Sequence, residues 1–123
     1  MHALPPILLL SGAVILGIIL GLDYLRRRRS TPAVIGFHFL MGAGALETIA
    51  MMIRGAPDGA ATPAVATLKV AAALLAFALF SGLLAPMVGR GSRARMNATL
   101  LTHVSAAAGG FLLCIVWLFR IRG

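Results

Sequence analysis

Four long apolar runs, separated by three short polar stretches, account for almost the whole chain. They cover about 4–24, 32–54, 63–86 and 97–119. Each reaches about 20 residues, the length an α-helix needs to cross the hydrocarbon of a bilayer. Signals for helix ends fall between them. Pro5 and Pro6 stand in the first turn of run one, where a missing N–H costs little. Ser30 or Thr31 is placed to cap run two, with Pro32 at its first helical position. Thr62-Pro63-Ala64-Val65 opens run three as Thr31-Pro32-Ala33-Val34 opens run two. The sequences diverge at once, so this match reads as two copies of a good helix start. Residues 55–61 form a turn-rich loop, and residues 89–95 a basic one. The pattern predicts an all-α integral membrane four-helix bundle, up-down-up-down, with 1–123 as a single transmembrane domain.

Composition fits this reading. The 123 residues are 60% hydrophobic and 11% charged, whereas a soluble domain is about 45–50% apolar with about 25% charge. The formal charge of +8 sits almost wholly in arginines between apolar runs. That is the pattern of topology signals and of contacts to anionic lipid, not of a nucleic-acid-binding face. Run one has no basic segment before it and no small-residue cleavage site, and Arg26 to Arg29 follow it, so it reads as a span, not a secretory signal. Arg26 to Arg29, Arg90, Arg93 and Arg95 outnumber Arg54, Arg120 and Arg122 on the opposite side. The positive-inside rule therefore places loops 25–31 and 87–96 in the cytoplasm. Both termini then lie on the non-cytoplasmic side, the periplasm if the membrane is a bacterial inner membrane. Tyr24 and Trp117 fall near span ends, as interfacial aromatics do. The single cysteine, Cys114, reads as a packing residue. Asp23 reads as a surface partner of Arg26 or Arg27.

The candidate chemistry lies in the few polar residues within the runs. An ionisable group inside a span is costly and needs a partner. His38 is six residues from the start of run two, and His103 six from the start of run four. At about 1.5 Å per residue both lie about 9 Å in. Runs two and four are diagonal across an up-down-up-down bundle, so two level histidines there have room for a planar ligand between them. Haem iron takes such axial ligands. Small residues give clearance: Gly42 near His38, and Ala106, Ala107 and Gly110 near His103. Met41 is placed to line the same space or to serve as an alternative soft ligand. A membrane histidine also has a plainer role, a hydrogen bond across helices, with Thr99, Thr102 and Ser105 as neighbours.

With four spans and one histidine in each of two of them, the chain resembles the small membrane cytochromes b. In those proteins a four-helix bundle holds b-type haem between histidines of different spans. The resemblance implies one haem b with His38 and His103 as iron ligands, and a quinone or another redox carrier as partner. Many such proteins carry paired histidines on one helix for two haems; one per span here implies at most one. No quinone-site motif is visible.

Glu47 and Lys69 form a second candidate pair, each about six or seven residues from the outer end of its span. An ion pair would lower the desolvation cost of both. It would serve as a structural clasp or, because such groups shift pKa readily, as a proton path. Glu47 is nine residues from His38, about 900° around the helix, so the two do not share a site.

Three functions follow from these residues. The first is a small membrane subunit of a respiratory or photosynthetic redox complex, holding one haem for electron transfer. The second is a cofactor-free accessory subunit that stabilises a larger assembly. The third is a small proton-coupled transporter using Glu47. The small multidrug resistance family has similar length and four spans, but it depends on a carboxylate within span one, which is lacking here before Asp23. No phosphate loop, nucleophile triad or zinc cluster is present, so catalysis by this chain alone is not expected.

Overall fold

A computed structural model describes residues 4–56 and 62–122. Among them are four α-helices and no strand: α1 (Leu4–Leu25), α2 (Pro32–Arg54), α3 (Pro63–Val88) and α4 (Arg93–Arg122). All four are long and apolar enough to cross a membrane. Most of the loop after α2, 57–61, and His2 lie outside the described residues. The chain divides into two compact units, residues 1–48 and 49–123. The last turns of α2 thus belong with the second.

The helix starts follow from the Thr-Pro pairs. Thr31 O accepts the N–H of Ile35 at 3.3 Å, which makes Thr31 the N-cap residue of α2. Thr62 caps α3 through its side chain, which accepts from Val65 N at 3.3 Å, and Pro63 occupies the first helical position. α1 ends in a Schellman arrangement: Arg28 N donates to Asp23 O at 2.8 Å and Arg27 N to Tyr24 O at 3.1 Å. The residue in the left-handed position is Arg27, with φ of 55°, where glycine is usual. Arg27→Gly should therefore stabilise the loop by about 1 kcal/mol. A melting curve in detergent reads that gain as a small rise in midpoint.

Two helices exceed their expected bounds. α3 continues through Pro86 to Val88, because a proline so near the end removes only one backbone bond, and Gly89 N still reaches Ala85 O at 2.9 Å. α4 starts at Arg93, four residues before the apolar run. Ser92 caps it, accepting Arg95 N on its hydroxyl at 3.3 Å and Met96 N on its carbonyl at 3.1 Å. At 30 residues α4 is about 45 Å long, more than the hydrocarbon thickness.

The second unit has the larger buried set, including Leu68, Ala71, Leu75, Ala78, Ala106, Cys114 and Trp117. Trp117 is only 3% exposed. It packs as a core residue rather than as the interfacial anchor its position near a span end implied. Cys114 is 2% exposed, as its apolar setting implied. Its thiol should resist maleimide in the folded protein and label fully after denaturation, with mass spectrometry as the readout. Arg120 joins the two ends of this unit, donating from one guanidinium nitrogen to Thr67 Oγ1 at 2.8 Å and Pro63 O at 3.4 Å.

Candidate functional site

The two histidines sit in different units, and each is held by its own helix pair. In the first unit, His38 Nδ1 on α2 lies 2.9 Å from Ala13 O on α1. In the second, His103 Nδ1 on α4 lies 2.7 Å from Ala78 O on α3. A carbonyl oxygen only accepts, so Nδ1 carries the proton in both rings and donates it across the helix pair. In the neutral ring Nε2 then holds the lone pair.

A glycine one turn beyond each carbonyl makes room for the ring. A Cβ placed on Gly17 would stand 3.1 Å from His38 Cε1, and one on Gly82 would stand 2.8 Å from both Cε1 and Nδ1 of His103. The imidazoles thus lie on bare helix backbone. The Gly17/Gly21 spacing of α1 is only half used in this way, since nothing lies within 4 Å of a Cβ on Gly21. In the second seat Ala78 O takes a second donor, the hydroxyl of Ser81 at 3.0 Å. Ser81 is buried, and its own helix satisfies it.

The other expected site residues divide among several roles. Met41 lies over Gly12 of α1, its sulfur 2.6 Å from where a Cβ there would be. Gly110 is closed by Leu75, whose Cγ would be 2.7 Å from an added Cβ, so this glycine lets α4 approach α3. Gly42 and Ala107 are half-buried, and Ala106 is buried. Thr99 and Thr102 turn their hydroxyls to carbonyls of their own helix, Arg95 O and Ala98 O, both at 2.9 Å. Their hydroxyl protons are thus committed within α4. Glu47 is exposed on α2 in the first unit, and Lys69 is exposed on α3 in the second. Among the described residues no three metal-binding side chains cluster, so a site with several protein ligands of that kind is not formed by them.

Sequence reasoning missed the carbonyl acceptors and the two glycine seats, yet a signal for them exists. Ala13 and Ala78, Gly17 and Gly82, and His38 and His103 are each 65 positions apart. The two hydrogen bonds accordingly span the same separation of 25 residues. Sliding the chain against itself by 65 reveals the triad. A search for family models, curated relatives and solved structures similar to this chain finds no match to any of them.

Proposed function

We propose that the protein is a small membrane subunit of a redox complex that holds one haem b, with His38 and His103 as the axial ligands. The observation that carries this is the shared state of the two rings. Each commits Nδ1–H to a backbone carbonyl, the outer contact that ligating histidines almost always make, so that in this reading Nε2 would be the coordinating atom. Magnitude also favours a ligand role. An interhelical hydrogen bond within a membrane contributes on average about 0.6 kcal/mol, a small return for keeping an imidazole in each of two spans. Haem supplies one-electron chemistry through its iron when bound. The part of this chain is to hold two imidazoles rigidly, in the correct tautomer and away from water.

In this reading the four helices form an up-down-up-down bundle with both termini outside and the arginine-rich loops on anionic lipid in the cytoplasm. The small mass outside the spans fits a subunit that passes electrons between larger partners or a quinone. Glu47 and Lys69 act as a clasp or as a proton path.

A second reading has its own support. Each imidazole seat is complete as an interhelical latch, with donor, acceptor and glycine recess supplied by one helix pair. That suits a cofactor-free accessory subunit. The reduced-minus-oxidised visible spectrum of protein expressed with haem supplied, together with a pyridine haemochrome assay, separates the two. About one b-type haem per chain supports the redox subunit, and a colourless, well-folded protein supports the accessory one.

A further inference from the structure

We infer that residues 4–56 and 69–121 are two copies of one histidine-clasped two-span hairpin, so that the two imidazole seats are equivalent positions of a duplicated module. Identical residues at the 65-position offset are few: Leu9 and Leu74, Leu10 and Leu75, Ala13 and Ala78, Gly17 and Gly82, Arg28 and Arg93, Ala33 and Ala98, His38 and His103, Ala43 and Ala108, Gly44 and Gly109. Apolar helices rich in alanine, leucine and glycine share nearly as many by composition alone, so their number decides nothing. Their placement does. Three of the coincident pairs form the imidazole seat. A further contact repeats nearby: a Cβ on Gly44 would meet Leu9 Cδ1 at 3.6 Å, and one on Gly109 would meet Leu74 Cδ1 at 3.4 Å.

Each residue buried in the first hairpin has a buried counterpart at the same offset, whereas Ser81, Ala85, Ala106 and Trp117 of the second match half-buried residues of the first. Among the described residues, those buried before the loop after α2 are Pro6, Leu10, Ala13, Ala45 and Ile49. Their counterparts Ala71, Leu75, Ala78, Gly110 and Cys114 are all buried. Side-chain size is exchanged where identity is lost. In the first hairpin Gly12 on α1 is covered by Met41 on α2. At the matching positions Phe77 is on α3 and Ala106 on α4, and both line one shallow depression. A small–large pair in the first hairpin thus stands where the second has a large–small pair, with Phe77 itself 54% exposed. Each hairpin carries two spans, so two copies of it would make the parallel kind of internal repeat.

Equivalence deepens the haem reading and rests on different observations. Each seat would offer a ligand the same ring atom in the same tautomer. This suits a metal centre with two like axial positions.

The test is a packing exchange in the full-length protein, read as thermal midpoint in detergent. Gly12→Phe alone should lower the midpoint, because Met41 occupies its space. Gly12→Phe with Met41→Ala, which installs the pattern of the second hairpin in the first, should recover most of that loss. Phe77→Gly with Ala106→Met should likewise lie above the sum of its two single effects. The second pair begins from a large-to-small change and remains readable if Gly12→Phe fails to fold. Double variants that merely add the losses of the singles would overturn the duplication. The readout needs no chromophore, so its failure is distinct from failure of the haem reading.

Discussion

His38→Ala and His103→Ala should each abolish the b-type spectrum that the proposed haem site would give, and the two losses should be alike in kind. In the proposed site both rings would hold the haem, so loss of either would weaken or release it. Removing either ring as a mere latch would cost only the hydrogen bond and a small cavity. The bond is worth about 0.6 kcal/mol on average in a membrane protein. The variant proteins should therefore still assemble, with a modestly lower melting midpoint and no chromophore. The measurement is the reduced-minus-oxidised spectrum at matched protein concentration. If both variants kept the parent absorbance, the ligand role would be lost and the latch role would remain.

The next largest effect is expected at the glycine seats. Gly82→Val puts a Cβ 2.8 Å from His103 Cε1 and Nδ1, closer than packed atoms approach, so the ring must leave Ala78 O. Gly17→Val is milder, with 3.1 Å to His38 Cε1. Overpacking of this kind costs about 1–3 kcal/mol, partly offset by the better helix propensity of valine over glycine. Haem affinity should fall further than stability does, because a displaced ring loses both its tautomer lock and its aim. The order expected is Gly82→Val below Gly17→Val below the parent, in bound haem per folded chain. Equal haem content in all three would mean that the rings need no seat.

Much of the architecture was legible because a span leaves a long, redundant signal. Some 20 apolar residues bounded by Thr-Pro or arginines admit few other readings, and α1 and α2 fall where the apolar pattern placed them. The start of α4 was not legible, because Arg93 and Arg95 are good helix formers outside the apolar run and only the Ser92 cap marks the true beginning. Trp117 was misread for a related reason. Position along a helix gives depth, while burial depends on which face meets a neighbour.

The site was legible only in its side chains. His38 and His103 stand out as the histidines within the apolar runs. Their partners are backbone carbonyls of Ala13 and Ala78, and every residue has a carbonyl, so no letter in the sequence marks them. Counting from helix starts was also misleading: His103 lies ten residues into α4, whereas His38 lies six into α2. The 65-residue offset relates the two rings directly. Glycines on the histidine helices were expected to clear space for a macrocycle. Gly110 instead admits Leu75, and the glycines that receive the imidazoles are on the partner helices.

The most direct single measurement is nitrogen NMR of the full-length protein labelled with 15N-histidine. It would be made in detergent with His2→Gln to remove the third ring, and under reduction so that any low-spin iron is diamagnetic. Both remaining rings should show a protonated Nδ1 and an unprotonated Nε2, with the Nε2 resonances displaced when haem is present. A ring protonated on Nε2 in the folded protein, at either position, would contradict both the seat geometry and the ligand it is proposed to serve.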